Sequence, residues 1–226
     1  MNNQVKEIVF TGPDGKLVGK YKKGQSLNPP VALILHPHPL YGGTMNNPVV
    51  LEIFNIFDQL GFSTFRFNFR GVGKSQGSYD DGEGELTDAA TAMDWVQTQN
   101  PSATHCWVAG FFFGSWIGMQ LMMRRPEIKG FISLSAPAIT RVFAFLAPCP
   151  SSGLFIHGSD DEIVPSLALS RVLEKISIQK GAVIKDIIIQ GADHFFNDHN
   201  NEMIDAVGKY LDTRLDKDGN FISNNE

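Results

Sequence analysis

The chain has 226 residues, of which 42% are apolar and 19% are charged, and its formal net charge is −5. A low charge content together with 17 phenylalanines excludes a disordered protein, because disordered chains lack large apolar side chains. The acidic balance argues against a nucleic-acid-binding protein, which needs a clustered basic surface.

Apolar periodicity predicts strands alternating with helices along the whole chain. The first two strands, Val5–Phe10 and Lys16–Tyr21, flank a Gly-Pro-Asp-Gly turn and form a predicted antiparallel hairpin. The later predicted strands are Val31–Leu35, Ser63–Phe67, His105–Ala109, Lys129–Leu134, Gly153–Ile156 and Val183–Ile189. The predicted helices are Val49–Leu60, Leu86–Val96, Gly114–Arg124, Leu167–Ile176 and Glu202–Leu211.

This alternation predicts an α/β fold with a mostly parallel, twisted sheet, helices on both faces and an antiparallel N-terminal hairpin. Neither an internal repeat nor a linker divides the chain. Residues 1–214 are therefore predicted to form one domain, followed by a polar C-terminal tail over residues 215–226. Fewer than twenty residues separate the strands that end at Leu134 and begin at Gly153, which leaves no room for a sizeable lid.

One uncharged stretch, Cys106–Met123, has the minimum length of a membrane span. Glycines interrupt it and its first residues are strand-like, so it is interpreted as a strand followed by a helix. The first residues of the chain carry no apolar stretch of signal-peptide length, which favours a cytoplasmic protein. In that setting Cys106 and Cys149 are expected to be reduced and buried. No Cys or His spacing indicates a metal site, and no cofactor is predicted.

Around residues 108–116 a predicted strand passes through a tight turn into a helix. Gly110 and Gly114 stand two positions on either side of Phe112. This is the skeleton of the nucleophile elbow G-x-S-x-G, in which small residues let the backbone reverse and lift the central side chain above the sheet. The pattern marks residue 112 as a nucleophile position, although Phe112 stands where serine is expected.

Two further groups with catalytic chemistry follow predicted strands. A carboxylate comes just after the strand Gly153–Ile156, in the run Ser159-Asp160-Asp161-Glu162, and His194 comes just after the last strand. The order of nucleophile position, acid and base is that of a serine hydrolase of the α/β type. Because function gathers at the carboxyl ends of parallel strands, the three positions are expected to meet.

With these motifs, the segments His36–Asn47 and Arg66–Gly71 give a family resemblance that covers nearly the whole chain. The chain resembles the small, lidless α/β-hydrolases of the dienelactone-hydrolase-like group. The resemblance implies the α/β-hydrolase fold and the chemistry of serine esterases and acyl hydrolases. It also implies that the ligand is a small acyl or ester compound.

The same resemblance implies a role for each site residue. Asp161 would be the acid and His194 the base, with Asp161 fixing the imidazole tautomer and stabilising the imidazolium. The backbone N–H groups of Leu40 and Phe113 would form the oxyanion hole, and His38 is an alternative donor.

Phe112 has no proton to lose and no lone pair, so it cannot act as a nucleophile. We expect its ring to fill the space of the serine hydroxyl and the incoming acyl group, at strained backbone angles, while Asp161 and His194 still pair. Ser115 is the nearest alternative hydroxyl, but as an elbow centre it would be flanked by Phe113 and Ile117 instead of small residues.

Three interpretations of this site are open. In the first, the chain is a relative that lost acyl transfer and became a non-catalytic small-molecule binding module. In the second, it is an active serine hydrolase that has been altered at residue 112. Alternatively, it is a weak hydrolase in which Asp161 and His194 activate water directly. Under each, acyl transfer through residue 112 is impaired or absent in the chain as written.

The expected partner is a small-molecule ligand, and neither nucleic acid nor a membrane is expected as a partner. A homodimer is also possible, with an apolar edge strand or residues 142–146 as its surface. His36 and His38 are expected to orient their loop, and His105 to lie on the surface. Three cations are interpreted as structural ion-pair partners rather than as groups that bind an anionic substrate: Arg66, Arg70 and Lys74.

Overall fold

Eight strands form one sheet in the computed structural model, which describes residues 4–146, 148–177, 182–216 and 219–222. The strands are β1 (Lys6–Gly12), β2 (Gly15–Lys22), β3 (Val31–Leu35), β4 (Ser63–Asn68), β5 (Cys106–Phe111), β6 (Ile128–Leu134), β7 (Ser152–Gly158) and β8 (Ile184–Ile189). The helices are α1 (Pro48–Gln59), α2 (Glu83–Gln99), α3 (Phe113–Met122), α4 (Ser166–Ser177) and α5 (Asn200–Asp212). Each corresponds to a predicted element, with ends that differ by three residues or fewer.

The strand order is β1-β2-β4-β3-β5-β6-β7-β8. β1 and β2 form the predicted antiparallel hairpin, and β2 pairs antiparallel with β4. Every pairing from β4 to β8 is parallel, as the alternation of strands and helices predicts. The loops that follow β3, β5, β7 and β8 therefore open at one edge of the sheet, where the predicted site residues lie.

Helices cover both faces of the sheet and enclose two apolar cores. One core lies under α1 and α5 and contains Phe57, Trp107 and Met203, all fully buried. The other lies under α2, α3 and α4 and is centred on Phe65 and Met93. The central strands β3 to β7 are almost entirely buried because both of their faces are covered.

Two connections matter for the site. The stretch Cys106–Met123 divides into β5 and α3, as predicted. No helix in the described residues is long and apolar enough to cross a membrane. Between β6 and β7 the described residues contain one short 3₁₀ turn, Ala144–Leu146, and no lid domain is inserted.

The expected surface position of His105 is wrong. Its exposed fraction is 5%, and the rings of Phe62 and Phe221 pack against it. Burial lowers the pKa of His105 to about 4. The second of these rings comes from the segment predicted as a polar tail, where Leu215 and Phe221 form an isolated antiparallel bridge. Residues 217–218 and 223–226 of that segment lie outside the described residues.

The three cations near the loop after β4 have structural contacts. Arg70 forms a buried ion pair with Asp88 at 2.8 Å, as expected, and Lys74 lies 3.6 Å from Glu7. The ion-pair interpretation is wrong for Arg66, whose Nη1 donates to the Met45 carbonyl and to the Asn46 side chain.

Candidate active site

The turn between β5 and α3 has the backbone of a nucleophile elbow. Phe112 stands between the two elements with φ 50° and ψ −115°, a conformation that side-chain-bearing residues rarely adopt. Both flanking glycines are required by packing. A Cβ on Gly110 would overlap the Gly114 carbonyl, and a Cβ on Gly114 would overlap the Leu35 carbonyl of β3. The sequence therefore folds locally as G-x-S-x-G does, with phenylalanine at its centre.

Asp161 and His194, from the loops after β7 and β8, lie together below this turn. Asp161 Oδ2 is 2.8 Å from His194 Nδ1, and both side chains are buried. The other carboxylate oxygen accepts the backbone N–H groups of Ile163 and Val164, at 2.9 and 2.7 Å. Two backbone donors thus hold the carboxylate and aim its other oxygen at the imidazole. Nδ1 therefore carries the hydrogen, and Nε2 faces away from Asp161.

The backbone of His194 is held separately from its side chain. The hydroxyl of Ser135, directly after β6, donates to the His194 carbonyl at 3.2 Å. Ser135 is fully buried and adopts φ 44°, an uncommon conformation for a residue with a side chain. Its own N–H donates to the carbonyl of Ile156 in β7. The imidazole is therefore positioned from two directions.

Three phenylalanine rings surround the imidazole of His194. The ring centroids of Phe112 and Phe195 each lie 4.9 Å from it, nearly perpendicular, and the centroid of Phe111 lies at 5.2 Å. Phe112 is half-buried and packs against the edges of both apolar cores. The side chain at the centre of the elbow therefore packs directly against the imidazole of His194.

Ser115 does not replace the missing hydroxyl. It is fully buried in the first turn of α3, and its Oγ donates to the carbonyl of Phe112 at 2.7 Å. The hydroxyl thus bonds to the elbow backbone rather than to His194.

The two N–H groups expected in the oxyanion hole have different surroundings. Phe113 is the first residue of α3, so its N–H has no acceptor within the helix. The N–H of Leu40 lies in the 3₁₀ turn Pro39–Tyr41 and donates to Nδ1 of His38 at 3.3 Å, a long hydrogen bond. The rings of His38 and Phe113 pack at 4.9 Å, which brings the two donor segments into contact.

Sequence reasoning missed two polar residues that contact this site. Ser135 could have been found as the first residue after a buried strand, at the edge of the sheet where sites form. Tyr79 lies in the Gly- and Asp-rich loop before α2, and its hydroxyl is 3.1 Å from His38 Nε2. As the one tyrosine in that loop, it offered a polar aromatic side chain that could have been noticed.

Comparisons with known proteins show the family to which this fold belongs. A family model described as serine aminopeptidase, S33, matches residues 42–152. A structure of a protein of unknown function from Agrobacterium tumefaciens is 51% identical, with 92% of this chain and 96% of that chain covered and a TM-score of 0.91. An α/β serine hydrolase homologue from Coxiella burnetii is 34% identical, covering 91% and 97% of the two chains at a TM-score of 0.84. The chain belongs to the α/β-hydrolase superfamily.

Within this superfamily the chain resembles members without a lid. A lidless α/β serine hydrolase from Xanthomonas campestris is 30% identical, covering 93% of this chain and 95% of that chain, with a TM-score of 0.84. The described residues contain no group of three His, Cys, Asp or Glu side chains that could hold a metal ion.

Proposed function

We propose that this chain is a serine-esterase-like α/β hydrolase for small acyl or ester compounds in which acyl transfer through residue 112 is blocked. One observation carries the proposal: the ring of Phe112 lies 4.9 Å from His194, at the centre of an otherwise intact elbow. A phenyl ring supplies neither a proton for His194 nor a lone pair for an acyl carbon. What remains for the chain as it stands is the binding of such compounds.

Phe112→Ser would supply the missing chemistry. The serine Oγ would attack the acyl carbon while His194 Nε2 takes its proton, and Asp161 would stabilise the imidazolium at 2.8 Å. The N–H groups of Phe113 and Leu40 would stabilise the oxyanion of the tetrahedral intermediate. His194 would then return the proton to the leaving alcohol, and water would hydrolyse the acyl-enzyme by the same steps.

The decisive experiment compares the chain with Phe112→Ser and Phe112→Ala in p-nitrophenyl acetate turnover and in fluorophosphonate labelling. We expect only Phe112→Ser to label, and its turnover to exceed that of the parent by at least about 10³-fold, since a nucleophile contributes about 10⁶-fold in a well-studied serine protease. Phe112→Ala is the matched control, because it opens the same space without supplying a hydroxyl.

The control separates the remaining interpretations. If Phe112→Ala and Phe112→Ser hydrolyse the ester equally fast and well above the background rate, and neither labels, Asp161 and His194 activate water directly and the acyl-transfer proposal fails. If neither variant is active, the proposed function also fails. If the parent chain labels, another residue is the nucleophile and the block at Phe112 does not exist.

The surface around the site supports an apolar ligand. Exposed apolar side chains come from three separate loops at the carboxyl edge of the sheet: Val142 after β6, Ile163 after β7 and Phe195 after β8. We expect short p-nitrophenyl esters or their acids to bind, and phosphate monoesters not to bind, in calorimetric titrations of the parent chain. Binding of phosphorylated compounds alone would overturn this ligand class.

A further inference from the structure

A chain of hydrogen bonds runs from the protein surface to the N–H of Leu40. Arg141 Nη2 donates to Asp81 Oδ1 at 2.7 Å and to the Tyr79 hydroxyl at 3.0 Å. The Tyr79 hydroxyl is 3.0 Å from Asp81 Oδ1 and 3.1 Å from Nε2 of His38. On the other side of the imidazole, Nδ1 accepts the N–H of Leu40 at 3.3 Å. Residues from three separate loops thus join in one network.

The direction of each bond follows from the chemistry of its ends. A backbone N–H can only donate, so Nδ1 of His38 must be the acceptor and the ring hydrogen must sit on Nε2. Nε2 then donates to the Tyr79 oxygen, and the Tyr79 hydroxyl donates to Asp81. In the opposite tautomer an Nδ1–H would face the N–H of Leu40, and two donors would meet.

The surroundings of His38 favour this neutral form. Burial lowers the pKa of His38, and the positive charge of Arg141 lowers it further, whereas Asp81 raises it. Arg141 is fixed in turn by stacking over Trp116 of α3, with its guanidinium carbon 4.5 Å from the ring centroid. The cation therefore stays beside the network and disfavours a second proton on the imidazole.

We propose that Tyr79 is a positioning residue that, through His38, sets the orientation of the Leu40 N–H in the oxyanion hole. The proposal rests on the proposed function, in which that N–H is one of two oxyanion donors. His38 accepts the Leu40 N–H at the first turn of Pro39–Tyr41, so it fixes the local backbone. The 3.3 Å bond is long enough for a ligand oxygen to share the hydrogen, while Tyr79 keeps His38 in the tautomer that accepts it.

The first test reads the imidazole directly in the chain as it exists. In ¹⁵N spectra of histidine rings, with the His38 signal assigned by its loss in His38→Gln, we expect the neutral Nε2–H tautomer. Tyr79→Phe removes the Nε2 partner, so we expect a mixture of tautomers and a shifted Leu40 amide resonance. The matched control is Tyr41→Phe, since the Tyr41 ring packs 4.6 Å from His38 but donates no hydrogen bond to it within the described residues.

Two results would overturn the proposal: an Nδ1–H tautomer of His38 in the unmodified chain, or equal effects of Tyr79→Phe and Tyr41→Phe on the ring and amide signals. Both readouts are independent of activity at residue 112.

The second test uses the Phe112→Ser background. Adding Tyr79→Phe is expected to lower kcat for p-nitrophenyl acetate about 3- to 10-fold with KM changed less than about twofold, because the loss of a whole oxyanion donor costs about 10² to 10³. Adding Tyr41→Phe is expected to leave kcat unchanged. An unchanged kcat in the Tyr79 variant would refute the positioning role. If Phe112→Ser itself is inactive, the proposed function fails, and the ¹⁵N spectra still decide the state of His38.

Discussion

The acid–base side of the site and the nucleophile side differ in what occupies them. On the acid–base side the N–H groups of Ile163 and Val164 hold Asp161, and the Ser135 hydroxyl holds the backbone of His194. On the nucleophile side the elbow backbone is intact, but its central side chain is the ring of Phe112.

The difference shows that the two sides are built independently. Asp161 is aimed by the turn that contains Ile163 and Val164, and His194 is anchored through β6, so neither orientation requires a hydroxyl at residue 112. The elbow is shaped by Gly110 and Gly114, which pack against the backbone whatever side chain stands between them. One substitution can therefore remove the nucleophile and leave the other parts of the site in place.

The largest expected effect on turnover comes from removing the histidine of the acid–base side, which tests whether that side can support catalysis. In Phe112→Ser, adding His194→Ala should abolish nearly all of the restored ester turnover, since loss of a catalytic histidine costs about 10⁶-fold in kcat in a comparable triad. Steady-state rates with p-nitrophenyl acetate measure this loss. If the double variant keeps the activity of Phe112→Ser, the restored turnover does not use Asp161 and His194. The contrast between an intact acid–base side and a blocked nucleophile side would then be wrong.

A smaller loss is expected from Asp161→Asn in the same Phe112→Ser background. An amide cannot stabilise the imidazolium and can reverse the tautomer of His194, and the equivalent change in a serine protease lowers kcat about 10⁴-fold. The control is Asp160→Asn, because the adjacent Asp160 accepts from Ser159 and does not contact His194 in the described residues. Equal losses in the two variants would show that the loop, rather than the Asp161 carboxylate, supports catalysis.

The sequence predicts this division of the site because its elements are local. Gly110 and Gly114 flank residue 112 within one turn, and Asp161 and His194 each follow a strand whose apolar run is readable. Parallel pairing then brings the strand ends to one edge, and the pair forms at 2.8 Å.

Contacts between distant loops are not readable in this way. Tyr79 meets His38 across 41 residues, and Arg141 meets Asp81 across 60, through irregular loops that lack a periodic pattern. The burial of His105 is a similar case, since it depends on the ring of Phe221 folding back under the sheet. Side-chain chemistry alone does not specify which loop residues become neighbours.

The loop after β3 supports the nucleophile side of the site. A histidine in this loop should make the free energy of unfolding depend on pH. His36 is fully buried, its Nε2 accepts the N–H of Phe69 at 3.0 Å, and burial lowers its pKa to about 4. Because the unfolded chain keeps the ordinary histidine pKa near 6.5, it binds the proton first, and the free energy of unfolding should fall as the pH drops from about 6.5 to about 4.

His36→Gln should remove about 3 kcal/mol of that pH-dependent change, the value that follows from the shift in pKa. Urea unfolding of parent and variant at pH 7.5 and pH 4.5 measures the difference. His199→Gln, at a half-buried position outside this loop, should leave the pH dependence as it is in the parent. Identical pH dependence in the His36 variant and the parent would mean that His36 is not held neutral by the fold.

The smallest expected effect comes from two variants that test whether the elbow backbone stays strained in a chain whose residue 112 is not a nucleophile. Phe112→Gly and Phe112→Ala remove the same ring, so they lose the same contacts with His194, but only glycine adopts φ 50° without a Cβ penalty. We therefore expect Phe112→Gly to be more stable than Phe112→Ala by about 1 kcal/mol, at the low end of the cost of such a conformation. Equal stabilities in urea unfolding would mean that the turn relaxes once the ring is gone. In that case the elbow geometry would depend on Phe112 itself, and the two sides of the site would not be independent.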